Sequence, residues 1–211
     1  STAEEVTQGL DLTGKTYLLT GCNSGLGFET MRVLALRGAT VIGSARTQEK
    51  AEAAASKVQG DVISVACELS EPSSVRDCVQ QVKELNRPLD GIICNAGIMA
   101  LPKLVLHHGF DLQFFTNHIG HFILVTGLLD SLVDDGRVVM LSSEAHRYTV
   151  KGGIRFDNLD GSLGYFGWTS YGQSKLANLL FARELSRRFE GTSKTANAVH
   201  PGVILTKLVR H

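Results

Sequence analysis

No sign of charge predominates in this 211-residue chain: Lys+Arg and Asp+Glu each number 21, so the formal net charge is zero. Without a basic excess the chain is a poor match for a nucleic-acid backbone or an anionic bilayer, and neither is expected as a partner. No apolar run reaches the roughly 18 residues that a membrane-spanning helix needs, so no membrane span is expected. Positions 1–14 are polar and acidic and lack the basic and apolar regions of a secretory signal. Cysteine is scarce, and the spacing of Cys22, Cys67, Cys78 and Cys94 matches neither a zinc motif nor a disulfide framework. Reduced thiols and a cytoplasmic location are the expectation. Linkers and low-complexity stretches are also missing. With 43% hydrophobic residues, one domain over 1–211 can bury a sizeable core.

What is present alternates. Apolar runs at 15–20, 40–45, 62–66, 91–94, 136–141 and 195–199 read as strands. Helical patterns at 28–37, 48–58, 75–85, 107–132 and about 170–189 separate most of them. Strand and helix alternating about every thirty residues implies parallel pairing, hence a doubly wound α/β sheet of Rossmann type. If strands one and four are neighbours, Cys22 and Cys94 both approach the crevice between them. They would form a redox pair or, more commonly for such residues, two buried small hydrophobes.

Three features carry chemistry. Gly21, Gly25 and Gly27 follow the first strand and open a helix, a setting that aims free backbone N–H groups at an anion such as a pyrophosphate. Their spacing is G-x-x-x-G-x-G rather than the common G-x-G-x-x-G. About 20 residues past that turn, where an acidic group selects NAD and an arginine accommodates the 2′-phosphate of NADP, the chain has Arg46. Tyr171 and Lys175 are four apart and share one helix face. An ammonium within about 4–6 Å would draw the tyrosine pKa of about 10 downward, making a usable general acid/base. The pair alone also fits an ordinary amphipathic helix. Ser142 and Ser143 arrive at the C-terminal end of the fifth strand, where ligands sit in open α/β sheets. Asn117 is an awkward mid-helix residue. His118 and His121 could share a helix face as metal ligands, but no third ligand is evident and no metal is expected.

Taken in order, Thr20-Gly21-x-x-x-Gly25-x-Gly27, Asn95-Ala96-Gly97, Asn117, Ser143, Tyr171-x-x-x-Lys175 and Pro201-Gly202 resemble the short-chain dehydrogenase/reductase family across essentially the whole chain. Asn117-His-Ile-Gly-His-Phe122, Phe156-Asp-Asn-Leu159 and the run from Tyr171 to Phe181 are similar to its retinol-dehydrogenase-like branch. The resemblance implies catalytic roles for Asn117, Ser143, Tyr171 and Lys175. Tyr171 would exchange a proton with the substrate oxygen and Ser143 would hydrogen-bond that oxygen. Lys175 would lower the tyrosine pKa and bind the nicotinamide ribose, and Asn117 would hold a water leading to solvent. It also implies cofactor binding by Gly21, Asn23, Ser24, Gly25, Leu26, Gly27, Arg46, Glu68, Leu69, Asn95, Ala96, Gly97, Tyr171, Lys175, Pro201, Gly202, Val203 and Thr206. Glu68 stands where the family usually has an aspartate for the adenine.

The expected function is an NADP(H)-dependent oxidoreductase interconverting a carbonyl and an alcohol on a small apolar molecule. The alternative is an NADPH-binding, redox-responsive or regulatory protein without turnover. Homodimerisation is left open. The family continues past the position of His211 into a substrate-covering helix and a last strand, so those elements are expected to be absent here and turnover to be poor.

Overall fold

The computed structural model describes residues 2–202 and 204. A short capped helix α1 (Ala3–Val6) precedes the first βαβ units: β1 (Thr16–Thr20), α2 (Gly25–Leu36), β2 (Thr40–Ala45), α3 (Gln48–Ala55), β3 (Val62–Ala66), α4 (Pro72–Glu84) and β4 (Leu89–Cys94). A hairpin of β5 (Leu106–His107) and β6 (Phe110–Asp111) leads through α5 (Leu112–Phe114) and a π turn (Phe115–Ile119) into α6 (Gly120–Leu128). The strand β7 (Leu132–Leu141), the long helix α7 (Gly167–Arg188) and β8 (Thr195–Val199) complete the described chain.

Six strands form one parallel sheet in the order β3-β2-β1-β4-β7-β8. Ile63, Ile42, Leu18, Ile92, Val138 and Ala196 are register partners in one row across it. Because side chains alternate faces along a strand, Leu18, Ile42, Ile92 and Val138 share one core with Val75, Leu124 and Leu185 from α4, α6 and α7. Leu19 and Val41 face the other way, onto Met31 and Ala51 of α2 and α3. Burial on both faces is why the strands read as continuous apolar runs. From β1 the chain winds outward to β2 and β3, and from β4 the opposite way to β7 and β8. The switch between β1 and β4 leaves a crevice at the C-terminal strand ends, the ligand position of open α/β sheets.

The one element expected wrongly is the helix over 107–132. His108 (φ 48) and Gly109 (φ 79) make a two-residue hairpin turn of the kind that requires two positive φ values. The carboxylate of Asp111 then accepts a hydrogen bond from Phe114 N–H and starts a new helix. Asn117 lies in the π turn that follows. At the other end the chain is already extended at Leu132, which pairs with Leu89, so β7 begins earlier than expected. Hydrophobic periodicity ran on through both breaks, and a single turn or cap outweighed it.

Candidate active site

The crevice is a cleft of about 540 Å³ between the ends of β1, β4 and β7. One end is built from the glycine turn. A Cβ on Gly27 would collide with the Gly21 carbonyl oxygen and the Asn95 amide, so only glycine lets the helix start this close to the strand end. Ser24, the N-cap of α2, makes no side-chain capping bond. Its first-turn N–H groups therefore remain available for an anion, and Asn23, Ser24, Gly25, Leu26 and Gly27 line the cleft. Arg46 lines it as well, exposed, and has no hydrogen bond or ion pair among the described residues. Further along the same wall are Glu68 and Leu69, with Glu68 Oε1 accepting from the Ser70 hydroxyl at 2.9 Å. These residues suit a phosphorylated dinucleotide.

At the other end stand Tyr171 and Lys175, both on the buried face of α7 and only 4% exposed. The Ser143 hydroxyl lies beside the Tyr171 phenol, close enough to lower its pKa. That meeting depends on Gly172, where a Cβ would stand 2.6 Å from the Ala145 carbonyl oxygen, so α7 lies directly against the turn that carries Ser143. Ser142 donates to the Lys175 carbonyl at 2.8 Å and ties β7 to the helix. Lys175 Nζ donates to the Leu141 carbonyl at 3.2 Å, and Asn178 Nδ2 shares that acceptor at 3.1 Å.

The electrostatics differ from the expectation that lysine lowers the tyrosine pKa. Burial dominates at both groups: it raises the Tyr171 phenol, against the lowering effect of the nearby Ser143 hydroxyl, and brings Lys175 down to about 8. Lys175 Nζ sits over the Tyr171 ring, 5.5 Å from its centroid, and contacts the π face rather than the hydroxyl. The two side chains are placed for each other, and neither shift has the other's charge among its causes.

Asn117 is fully buried and fully bonded. Its Oδ1 accepts from Ile98 N–H at 2.8 Å, and its Nδ2 donates to the Ile98 carbonyl and the Ser174 hydroxyl, both at 2.9 Å. Residue-by-residue reading missed what lies behind it. The Thr20 hydroxyl accepts from both Asn95 N–H and Ala96 N–H, each at 3.0 Å, which occupies its two lone pairs. Its proton must then go to His121 Nε2, 2.8 Å away. That makes Nε2 an acceptor, so the ring proton lies on Nδ1 and is donated to the Asn117 carbonyl at 2.9 Å. Donor and acceptor counting alone assigns the tautomer. Complete burial holds this imidazole neutral, with its pKa pushed down to about 4. One histidine thereby joins the glycine-turn strand, the Asn95-Ala96-Gly97 segment and the Asn117 turn. The signal was present in the sequence as His121 four residues after Asn117, but the spacing of His118 and His121 suggested only metal ligation. His118 instead bonds Asn178 at 3.1 Å.

Of the residues expected to bind or react, Gly21, Asn23, Ser24, Gly25, Leu26, Gly27, Arg46, Glu68, Leu69, Asn95, Ala96, Gly97, Tyr171, Lys175 and Pro201 line the cleft. Asn117 and Ser143 are not among the lining residues: Asn117 is buried against the backbone of Ile98, which lines the cleft, Ser143 is half-buried, and Gly202 is exposed beyond Pro201. Val203 and Thr206 lie outside the described residues. The Cys22–Cys94 pairing is not what the fold produces. Cys22 packs in the α2/α3 core and Cys94 in the opposite one, and burial raises both thiols, Cys22 to about 11. The cysteine that reaches the cleft is Cys67. No helix among the described residues is long and apolar enough to cross a membrane.

Residues 15–156 match the family described as short chain dehydrogenase. The chain is 43% identical to short-chain dehydrogenase TIC 32 B, chloroplastic, of Brassica napus, over its whole length and 70% of that protein's. It is 42% identical to retinol dehydrogenase 12 of Mus musculus, with 97% of this chain and 66% of that one aligned. The crystal structure of an uncharacterized protein from Mycobacterium paratuberculosis superposes with a TM-score of 0.83 at 43% identity, covering 92% of this chain and 70% of that one. A short chain dehydrogenase of Burkholderia cenocepacia, solved in complex with NADP, does so with a TM-score of 0.76 at 26% identity, covering 93% and 77%.

Proposed function

The chain belongs to the short-chain dehydrogenase family, and from that premise we propose that it is an NADP(H)-dependent oxidoreductase interconverting a carbonyl and an alcohol on a small apolar molecule. The observation that carries this reading is one cleft with two differently equipped ends: open helix N–H groups and Arg46, without an ion pair among the described residues, at one, and Tyr171 and Lys175, with Ser143 beside the phenol, at the other. A protein that only bound nucleotide would have no use for a buried tyrosine with a serine hydroxyl beside it at its cleft.

The amides of Gly25, Leu26 and Gly27 would hold the pyrophosphate, Arg46 the 2′-phosphate, and Glu68 and Leu69 the adenine. Lys175 would reach the nicotinamide ribose. The chemistry that NADP(H) would supply when bound is hydride transfer to or from the substrate carbon. Tyr171 handles the proton at the substrate oxygen, giving it to a carbonyl in reduction and taking it from an alcohol in oxidation. Ser143 hydrogen-bonds the same oxygen and holds it against the phenol. Apolar substrates are favoured by Trp168, 51% exposed in the first turn of α7 with its ring 6.2 Å from that of Tyr171, and by a neighbouring pocket lined by Leu163 and Phe166. Retinol, after which one relative is called a retinol dehydrogenase, belongs to this class of molecule.

Arg46 decides the cofactor. A guanidinium can meet a phosphate with two parallel charge-assisted bonds. At roughly 1.5–3 kcal/mol for a bond to a charged group, the preference for NADPH over NADH is on the order of ten- to hundredfold. Calorimetric titration of wild type and Arg46→Asp with both reduced cofactors tests this, the variant reversing the order. Equal wild-type affinities would return Arg46 to the solvated surface. Turnover measured on a panel of apolar aldehydes, ketones and alcohols tests the chemistry, and nucleotide binding without any turnover would favour the regulatory reading.

A further inference from the structure

Outside the cleft, Glu71, His107 and His108 bring three donor atoms toward one point. Glu71, at the N-cap of α4, has Oε1 2.8 Å from His107 Nε2 and Oε2 3.2 Å from His108 Nε2. One ligand atom from each of the three residues lies within 4.8 Å of the other two. Consecutive strand residues point to opposite faces, yet here both imidazoles reach one carboxylate. The positive φ of His108 at the hairpin turn turns its ring back beside that of His107, with the centroids 4.4 Å apart. His107 Nε2 is buried and makes no hydrogen bond among the described residues. Its 2.8 Å approach to the carboxylate is therefore off the axis along which a ring N–H would point. A buried ring nitrogen in that position serves better as a lone-pair donor to a cation than as a proton donor.

We infer that Glu71, His107 and His108 form a binding site for a divalent ion of the zinc class, with water completing the coordination. Two imidazoles and one carboxylate suit Zn²⁺ and its transition-metal neighbours rather than Ca²⁺ or Mg²⁺, which take oxygen ligands. With Zn–N and Zn–O bonds of about 2.0–2.2 Å, the donors of a tetrahedral site stand roughly 3.3–3.5 Å apart. The two carboxylate contacts are already near that spacing, so side-chain rotation suffices to close the site. Its position gives it a consequence. Glu71 follows Glu68, Leu69 and Ser70, which line the cleft, and the hairpin runs directly into Leu112 and Thr116, which line it too. The ion would tie two walls of the nucleotide cleft together from outside.

The test uses the tag-free chain with Zn²⁺ by calorimetry and with Co²⁺ by visible absorption. One equivalent should bind, Co²⁺ giving the intense d–d bands of a four-coordinate site. His107→Ala, His108→Ala and Glu71→Gln should each weaken binding at least tenfold, while His146→Ala, a histidine outside the cluster, leaves it unchanged. Zn²⁺ should also slow amide exchange in 68–72 and 106–111 together, which an ion held by one side chain would not do. Each variant's circular dichroism shows whether it is folded. Binding that survives His107→Ala/His108→Ala, weak multi-site binding only, or slowed exchange in just one segment would overturn the inference. Failure here leaves the proposed oxidoreductase reading untouched, because no readout involves nucleotide or turnover.

Discussion

Lys175 gives a quantitative handle on the site because its proton equilibrium is linked to folding. Burial brings its pKa to about 8 from an ordinary 10.5. The unfolded lysine keeps its proton up to about pH 10.5 and the folded one only to about 8, so between these values the unfolded state binds more protons and stability rises with pH. The burial penalty is fully present below about pH 8 and fades as pH climbs toward 10.5. At about 1.36 kcal/mol per pKa unit, the full penalty is about 3 kcal/mol, of which about 2 is relieved between about pH 7 and about pH 9.5. Lys175→Met keeps the volume and removes the titration. The perturbation is read from urea unfolding of ligand-free wild type and variant at a series of pH values. The difference between them cancels every other titrating group. Wild type should gain about 2 kcal/mol on the variant across that window. Tyr171 is raised and titrates above the window, so it does not disturb the comparison. A flat difference would mean that Lys175 is charged and solvated as usual, and that its burial in α7 does not tune it.

Tyr171→Phe should lower turnover about 10²–10⁴-fold while NADPH affinity is nearly unchanged, because only the transferable proton is lost; wild-type turnover in the variant would remove Tyr171 from the mechanism. Gly172→Ala should force α7 away from the Ala145 carbonyl and separate Tyr171 from Ser143, cutting kcat more than it changes melting temperature; full activity would show that the close approach is dispensable. His121, with a folded pKa near 4 against 6.5 unfolded, contributes stability that is present above about pH 6.5 and lost as pH falls toward 4, roughly 3 kcal/mol in all. His121→Gln should abolish that acid slope while retaining the Thr20 and Asn117 bonds, and His121→Ala should lose the bonds and activity as well; an unchanged acid slope in His121→Gln would refute the assignment.

The fold class and most of the cleft were legible in the residues alone. Parallel strands buried on both faces must be apolar throughout, and a helix opening directly on a strand needs glycines, so Gly21, Gly25 and Gly27 announced themselves. Tyr171 and Lys175 were legible because four residues make one helical turn. The hairpin at His108–Gly109 was not, because a single pair of positive φ values leaves hydrophobic periodicity undisturbed around it. Nor was the role of His121. Its meaning depends on Thr20 and Asn117, which lie far from one another along the chain and meet only when β1, β4 and the π turn converge. The direction of the Tyr171 shift likewise waited on the structure, since spacing fixes which residues are neighbours but not whether an ammonium meets the ring face or the hydroxyl. Local order is written in local sequence; tautomers, burial and the geometry of charges are set by which distant segments exclude water together.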